Sequence, residues 1–314
     1  MSIGAVIAAA NYTVRDKNIA NSGATEVMGA PERIAATLKK CGIDNIVVVT
    51  GHHSAELKKR LRRFGICFLD NENYENTDIF ESVKMGLEYI HEKCERIVYC
   101  PSGFPFFSED TVKALLMAEG DVCIPSSDGR KGHPIVIDSG IVPALLAFEG
   151  EGGLRAAYSS VTTDIEIVPV EDKGIFSSKE DEDEIKRLAD EQNKRLIRPE
   201  VETSLSGERK IISSEVKQLL MQIDDLGSVR EACEKAGLSY SKGWNLIGDS
   251  EAELGFKLVD RQQGGKNGGK AALSIEGKRI LGLYRNFEEA VQKYAEREYE
   301  RFFKATLEEM RDRK

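Results

Sequence analysis

The stretch that decides the fold of the C-terminal half is SVREACEKAGLSYSKGWNLI, residues 228–247. Apolar residues recur at helical spacing over 216–223 and again over 229–236. Gly237 can adopt the positive φ of a tight turn, and Ser239 can cap a third helix with its side-chain oxygen. The pattern therefore predicts two helices, a tight turn and a third helix, which is the order of a helix-turn-helix.

The residues that follow predict a wing. We expect the third helix to run from about 240 to 254, with Trp244, Ile247 and Leu254 facing the core. Beyond it the pattern predicts, in chain order, a strand at 258–259, a turn-rich loop over 262–269, a returning strand at 272–274 and a helix over 275–285. This arrangement is an α+β winged helix-turn-helix, in which the first turn of the third helix enters the major groove of DNA.

Charge in this region favours a nucleic-acid partner. The whole chain has a net charge of −9, whereas residues 257–285 contain seven basic and two acidic residues, a net of +5. Each phosphate that a basic residue neutralises releases condensed counterions, so a positive wing on an acidic protein suits contact with DNA. The alternative that the pattern leaves open is an ordinary small helical domain with a flexible loop.

A family resemblance carries this prediction further. Residues 228–247, together with LVDRQQGGKNGGKAALS at 258–274, closely resemble the N-terminal domain of molybdate-responsive ModE-type regulators. In that family the recognition helix and the wing bind operator DNA as a homodimer. The resemblance implies DNA contacts by Tyr240, Ser241, Lys242, Arg261, Lys266 and Lys270. The charged helical segment that follows does not resemble the family's molybdate-binding modules, so we expect an effector to be sensed elsewhere.

The N-terminal half alternates short β-branched runs with helical patterns. Strands are predicted at 5–7, 46–50, 97–100, 122–125 and 165–170, and helices at 30–41, 55–64, 78–94 and 110–118. Such alternation builds a mostly parallel sheet with helices on both faces. Ligands of such sheets bind at the carboxyl ends of the strands, so the loops at those ends are the first place to look for a site.

Four sequence blocks in this half resemble the molybdopterin nucleotidyltransferase family, over roughly residues 3–188. They are VVVTGH at 47–52, NENY at 71–74, GRKGHP at 129–134 and GEGGLR at 150–155. Members of that family have a Rossmann-like nucleotide-binding fold and transfer CMP or GMP from a nucleoside triphosphate to molybdopterin. By family position, the resemblance implies ligand contacts by Arg15, Asn73, Ser82, Gly129, Arg130, Gly132, His133, Gly152 and Gly153.

The chain departs from that family at its catalytic motifs. Active members begin with AAGxSxRMG and a lysine three residues later, but this chain has Asn11, Lys17 and Ala20 in place of the two glycines and the lysine. Gly103 stands in place of the aspartate that binds Mg²⁺, and residues 174–181 lack the paired aspartates of a later motif. Nucleotidyl transfer needs Mg²⁺ and a cationic clamp on the phosphates, so these losses together predict an inactive domain.

Three interpretations of the N-terminal half stay open at this point. It can be a degenerate domain that still binds CTP, GTP or molybdopterin; a working cytidylyl- or guanylyltransferase with relocated Mg²⁺ ligands, for example Asp16 or Asp128; or a scaffold that binds neither. The glycine blocks and His133 suit an anion, a base or a pterin, but fold geometry alone also accounts for them. Asn73 and Ser82 can equally be turn and capping residues.

Composition places the domain boundary near residue 200. The length of 314 residues suits two domains, each able to bury its own core. We expect a nucleotidyltransferase-like domain at 1–195 and the DNA-binding domain with a C-terminal helix at 213–314. The stretch between them, 196–212, contains Pro199 and Gly207 and is expected to be a linker.

Three further features concern assembly, cysteine chemistry and location. Apolar residues recur at every seventh position through Ile280, Phe287 and Tyr294, which favours helix pairing and a homodimer. The six cysteines form no CxxC pair and His52-His53 lacks a third ligand nearby, so we expect buried free thiols rather than a zinc site or disulfides. No apolar run approaches 18 residues and no leader pattern is present, so we expect a soluble, cytoplasmic protein.

The sequence as a whole predicts a transcription regulator linked to molybdenum or molybdopterin metabolism. Its ModE-like domain would bind double-stranded DNA, and its degenerate nucleotidyltransferase-like domain would be the sensor. The alternative is an active molybdopterin cytidylyl- or guanylyltransferase with an appended DNA-binding domain, and Mg²⁺ is expected as a cofactor only in that case.

Overall fold

The computed structural model describes residues 2–12, 28–51, 54–61, 64–176, 182–197, 199, 201–261 and 271–312. The chain divides into two compact units, Met1–Leu196 and Ile197–Lys314. Each unit has its own hydrophobic core, so each is described by itself. Among the helices in these ranges, none is long and apolar enough to cross a membrane.

A mixed sheet of eight strands, in the part of the chain that is described, forms the centre of the N-terminal unit. Its strands are β1 (Ile3–Ala9), β2 (Asn45–Thr50), β3 (Cys67–Asp70), β4 (Arg96–Pro101), β5 (Val122–Ser127), β6 (Arg130–Lys131), β7 (Ile135–Asp138) and β8 (Ile165–Pro169). Their order is β3-β2-β1-β4-β7-β5-β6, and β8 pairs with β5. The pairs from β3 to β4 are parallel, as are β5 and β8, whereas β7 runs antiparallel to β4 and β5. The predicted mostly parallel sheet is confirmed, with β7 and the short β6 as antiparallel additions.

Helices cover both faces of this sheet, as predicted. They are α1 (Ala30–Lys40), α2 (Ser54–Leu61), α3 (Ile79–Ile90), α4 (Glu109–Met117), α5 (Val142–Leu146), α6 (Gly153–Val161) and α7 (Glu182–Arg195). Side chains alternate along a strand, so Ile7 of β1 points into one apolar core and Val6 into the other. The first core is completed by α1, α2 and α4, and the second by α3, α5 and α6. The six cysteines are free thiols, five of them buried.

The C-terminal unit begins with a hairpin and continues mainly as helices. Its elements are β9 (Leu205–Ser206), β10 (Lys210–Ile212), α8 (Ser214–Leu226), α9 (Val229–Lys235), α10 (Tyr240–Leu254), β11 (Val259–Arg261), β12 (Ala271–Leu273), α11 (Ile275–Tyr299), a π-helical turn (Glu300–Lys304) and α12 (Ala305–Asp312). Both strand pairs are antiparallel. The helices expected at 216–223, 229–236 and 240–254 are present as α8, α9 and α10. The β9–β10 hairpin lies within 196–212, the stretch that we expected to be a linker.

Local sequence sets the turn between α9 and α10. Gly237 has φ +66°, and the Ser239 hydroxyl accepts a hydrogen bond from the backbone N–H of Lys242 at 3.2 Å. The predicted turn and cap therefore both form. The two helices also cross closely, because a Cβ at Gly243 would overlap the Sγ of Cys233. The crossing requires a residue without a side chain at Gly243, which the sequence pattern does not single out.

Candidate functional site

The first turn of α10 presents three of the residues that we predicted to contact DNA. The side chains of Tyr240, Ser241 and Lys242 are exposed, whereas Gly243 and Ile247 are buried. About half of the Tyr240 surface, 49%, is open to solvent. An exposed tyrosine has both an apolar ring and a hydroxyl to offer a partner. The structure thus brings these three residues together on one exposed turn.

Two neighbouring side chains contact the ring of Tyr240. Its ring meets the Trp244 ring edge-on, with 6.2 Å between the ring centroids. On α9, the guanidinium carbon of Arg230 lies 5.5 Å from the centroid of the Tyr240 ring. A cation at this distance over an aromatic face is attracted to it. Arg230 is therefore part of the same surface, although no sequence pattern identifies it.

Lys242 is paired within the unit. Its Nζ lies 3.0 Å from Oε1 of Glu215, which is on α8, and both side chains are partly exposed. An ion pair at the surface contributes less than about 1 kcal/mol to stability. The pair can therefore open when a stronger anion approaches Lys242.

The acidic side chains in the second half of α10 are engaged in local hydrogen bonds. Glu253 accepts from the backbone N–H groups of Glu208 and Arg209 at 3.0 and 3.1 Å, and the Arg209 guanidinium lies 2.9 Å from Asp249. Glu251 in turn accepts from the backbone N–H groups of residues 258 and 259. These carboxylates hold the β9–β10 hairpin and the start of β11 against α10. The sequence gives no signal for these bonds.

The three predicted DNA contacts of the wing lie outside the side chains that the structure describes. Arg261 closes β11, but the position of its side chain lies outside what the structure describes, and Lys266 and Lys270 lie within the undescribed residues 262–270. Their assignment to DNA stays a prediction.

In the N-terminal unit, the described part of the loop after β1, residues 10–12, ends in a buried tyrosine. Tyr12 is 5% exposed and donates its backbone N–H to the Ala9 carbonyl at 3.1 Å. Arg15, which we predicted as a ligand contact, lies outside the described residues, as do the alternative metal ligand Asp16 and the pair His52-His53.

The N-terminus of α1 is occupied by a carboxylate of the chain itself. Oε2 of Glu32 accepts a hydrogen bond from the backbone N–H of Gly29 at 2.5 Å and lies 2.5 Å from a guanidinium nitrogen of Arg60. A helix N-terminus attracts anions because its first N–H groups lack partners within the helix. A phosphate at this position would have to displace the Glu32 carboxylate.

The loop after β4 offers no metal ligand at the position that the family resemblance marks. A Cβ at Gly103 would have no atom within 4 Å, so the position is open and uncharged. The nearby carboxylate of Asp172 accepts from Ser108 N–H at 2.7 Å, the Thr111 hydroxyl at 2.6 Å and Gly174 N–H at 2.8 Å. Within the described ranges, no three His, Cys, Asp or Glu side chains are arranged to hold a metal ion. At this position Gly103 supplies no ligand for Mg²⁺.

Fold geometry accounts for Gly129 and Gly132. Asp128 and Gly129, with φ 50° and 75°, form the two-residue turn between β5 and β6. Such turns need a positive φ at both central residues, which is why Asp-Gly is favoured there. Gly132 packs so closely on Ile175 that a Cβ would overlap the Ile175 carbonyl oxygen. Arg130, in contrast, is exposed, with its guanidinium 4.4 Å from the centroid of the Phe176 ring.

His133 is packed between aromatic rings. Its ring centroid lies 4.4 Å from that of Phe104 and 5.8 Å from that of Tyr99, and its backbone N–H donates to the Ile175 carbonyl at 2.9 Å. Nδ1 is buried and has no hydrogen-bond partner among the described residues. Burial lowers the pKa of His133 from 6.5 to about 4, because the charged imidazolium would lose its hydration. The imidazole is therefore neutral at physiological pH.

Asn73 and Ser82 occupy different environments. Ser82 is 1% exposed and its hydroxyl accepts a hydrogen bond from Nδ2 of Asn71 at 3.0 Å. Oδ1 of the buried Asn71 accepts from the backbone N–H of Asn73, whose own side chain is exposed. Asn71 is thus the residue that organises this loop, and the predicted contact Ser82 lies beneath it.

Gly152 and Gly153 begin α6 in left-handed backbone conformations. Their φ angles are 97° and 64°, a region that glycine adopts without steric cost. Gly152 is the cap residue of α6 and Gly153 its first residue. The predicted helix start is therefore present, and its role as an anion site stays a prediction.

Comparisons with known proteins bear on both units. Residues 28–165 match the family model of the MobA-like NTP transferase domain. Among solved structures, a nucleotidyl transferase from Methanothermobacter thermautotroptrophicus is similar at 18% identity, with a TM-score of 0.49, over 62% of this chain and 99% of that one. A 4-diphosphocytidyl-2C-methyl-D-erythritol synthase from Anaerococcus prevotii is similar at 17% identity, with a TM-score of 0.49, over 61% of this chain and 98% of that one.

Curated relatives match a short stretch. Transcriptional regulator ModE of Yersinia pestis is 41% identical over 66 residues, and the DNA-binding transcriptional dual regulator ModE of Escherichia coli K12 is 38% identical over 66 residues. Each match covers 21% of this chain and 25% of the relative. The chain thus spans about a quarter of the length of these relatives. We conclude that the N-terminal unit carries a MobA-like NTP transferase domain, and that the chain is related to ModE regulators over a short stretch, consistent with a ModE-like C-terminal region.

Proposed function

We propose that this protein is a DNA-binding transcription regulator linked to molybdenum or molybdopterin metabolism, with α10 as its recognition helix. The observation that carries the proposal is the exposed first turn of α10, with Tyr240, Ser241 and Lys242 on one surface. Asp249 and Glu251 of the same helix are ion-paired with Arg209 and Lys257, which limits their repulsion of phosphates. The names of the curated relatives support the link to molybdenum.

In this proposal, α8 to α11 form a winged helix-turn-helix that binds double-stranded DNA. The first turn of α10 enters the major groove, as recognition helices do. Arg261, Lys266 and Lys270 of the wing contact phosphates, which position the protein without reading sequence. The protein acts as a homodimer, paired along the seam of Ile280, Phe287 and Tyr294 on α11.

The N-terminal domain is, in this proposal, an inactive relative of the NTP transferases that acts as the sensor. The Glu32 carboxylate at the start of α1 and the open Gly103 after β4 support inactivity. The exposed Arg130 and the start of α6 at Gly152 and Gly153 are the proposed ligand contacts, and a nucleotide or a pterin is the proposed ligand.

The test of DNA binding uses the full-length protein. Fragments of the source genome are incubated with the protein, the bound fraction is sequenced, and affinities for the enriched fragments are measured by fluorescence anisotropy. We expect a small set of fragments to be enriched. The double variant Tyr240→Ala, Ser241→Ala should lose this preference, because side chains in the groove read the bases.

A matched control comes from the other unit. Lys186 on α7 is 70% exposed, so Lys186→Gln should bind the enriched fragments like the wild type. Equal binding of wild-type protein to all fragments, or no binding, would overturn the regulator proposal.

The test of the N-terminal domain is pyrophosphate release. Full-length protein with Mg²⁺, molybdopterin and either CTP or GTP should release none, because Gly103 stands in place of the family's Mg²⁺ ligand and the Glu32 carboxylate occupies the N-terminus of α1. Turnover would overturn the proposed inactivity and favour the active transferase, to which the match at residues 28–165 lends support. Calorimetric titration with CTP and GTP, followed by DNA affinity with each ligand present, tests the sensor role.

A further inference from the structure

We infer that Arg230 is a DNA phosphate contact, held in position by the ring of Tyr240. The inference rests on the proposed function, and it concerns a residue outside both the wing and α10. Arg230 is exposed on α9, and its guanidinium carbon lies 5.5 Å from the centroid of the Tyr240 ring. The helix that precedes a recognition helix crosses the DNA backbone, which is where a phosphate contact belongs.

The position of Arg230 over the ring leaves its hydrogen-bonding groups available. The attraction between a cation and an aromatic face is electrostatic and uses none of the five N–H donors of the guanidinium. Those donors fit two oxygens of one phosphate. Contact with the ring also restricts the rotamers of a long side chain before binding, so less conformational entropy is lost when the phosphate arrives.

The charges around α10 support Arg230 over Lys242 as the main phosphate contact in the described part of this surface. Lys242 is paired with Glu215 at 3.0 Å, and this pair must open before Lys242 binds a phosphate. Within the residues that the structure describes, Arg230 has no carboxylate within ion-pair distance. No carboxylate of the described residues therefore neutralises the positive charge of Arg230, and this charge is available to a partner.

The test is the salt dependence of DNA affinity for full-length Arg230→Gln. Fluorescence anisotropy is measured on an enriched genomic fragment and on an unrelated duplex over a range of salt concentrations. We expect affinity to fall about tenfold on both DNAs, as for the loss of one charge-assisted hydrogen-bonding group. The slope of log affinity against log salt should fall by about one, because one fewer phosphate is neutralised. Arg230→Lys keeps the charge and should retain the slope while losing part of the affinity.

A double-mutant cycle tests the role of the ring. Tyr240→Leu removes the aromatic face, and Tyr240→Leu combined with Arg230→Gln should cost less than the sum of the two single changes. Lys186→Gln is the charge-matched control, since it also removes one exposed positive charge but lies on α7 in the other unit. Its affinity and salt slope should equal those of the wild type.

The outcomes separate this inference from the proposed function. If the wild type binds no DNA, the proposed function fails. If the wild type binds and Arg230→Gln keeps both affinity and slope, the inference alone fails. A change in sequence preference with an unchanged slope would assign Arg230 to the bases and overturn the phosphate contact. Circular dichroism and Trp244 fluorescence of each variant establish that the C-terminal unit is folded.

Discussion

The sequence blocks that resemble known families have different structural roles in the two units. In the N-terminal unit, Gly132 packs against a neighbouring carbonyl group, and Ser82, on α3, is buried beneath the loop that Asn71 organises. In the C-terminal unit, Tyr240 and Ser241 lie exposed on the first turn of a helix. At these residues, a sequence block shared with a family marks packing in one unit and a solvent-exposed surface in the other.

The physical reason for this difference is burial. A residue inside a packed sheet is restricted by its neighbours, so its identity is accounted for without a ligand. Tyr240 is half exposed, so packing within the fold accounts for less of its identity. Four changes test this comparison, beginning with the one of largest expected effect.

Gly132→Val should lower the free energy of unfolding of the N-terminal unit by about 3 kcal/mol, because the core cannot accept the added atoms. A Cβ there would overlap the Ile175 carbonyl oxygen and lie 2.7 Å from Cγ1 of the same residue. Urea unfolding followed by circular dichroism measures the loss, and fluorescence of Trp244, the one tryptophan, follows the C-terminal unit separately. Gly103→Ala is the control, since a Cβ there meets no atom within 4 Å. Equal stability of the two variants would mean that packing does not explain Gly132.

His133 should make the stability of the N-terminal unit sensitive to acid. Its pKa is lowered from 6.5 to about 4 by burial, so the unfolded chain takes up the proton first as the pH falls. The stability that the buried, neutral His133 contributes is fully present above a pH of about 6.5 and is lost as the pH falls to about 4. The expected loss is about 2 kcal/mol, reduced from the full shift because the residue is partly exposed.

The measurement for His133 is the difference between wild type and His133→Gln. Urea unfolding of both proteins is recorded at pH values from about 7 to about 4, so that the titration of carboxylates cancels. Parallel loss of stability in the two proteins would show that His133 is not buried in its neutral form.

Ser82→Ala should destabilise the N-terminal unit by about 1 kcal/mol, since the buried Asn71 side chain loses one of its acceptors. The same unfolding experiment detects the change. Asn73→Ala removes an exposed side chain from the same loop and should leave stability unchanged. If Asn73→Ala is the more harmful substitution, the assignment of Asn71 and Ser82 as the structural pair is wrong.

Glu215→Gln should raise DNA affinity by a factor of about three or less, because it releases Lys242 from a surface ion pair worth under about 1 kcal/mol. Anisotropy on an enriched fragment at low salt gives the largest signal, since salt screens exposed charges. Glu289→Gln breaks the exposed pair with Lys293 on α11 and serves as the control. A rise of the same size in the control would trace the effect to net charge rather than to Lys242.

Sequence patterns predict the elements of both units well, because those elements depend on near neighbours. Apolar spacing and capping residues place α8, α9 and α10, and Gly237 and Ser239 form the expected turn and cap. The alternation of strands and helices predicts the sheet and its two helical faces. It does not predict that β7 lies antiparallel between β4 and β5, since strand order depends on segments far apart in the chain.

In the candidate sites, too, the sequence predicts what depends on near neighbours and does not predict contacts between distant segments. The sequence by itself determines that Tyr240, Ser241 and Lys242 share the first turn of a capped helix, because a cap and a helical period involve only three or four residues. Tertiary structure alone decides that Lys242 meets Glu215, 27 residues away, and that Arg230 lies over the ring of Tyr240. Such contacts arise where separate helices cross, and no local pattern encodes them.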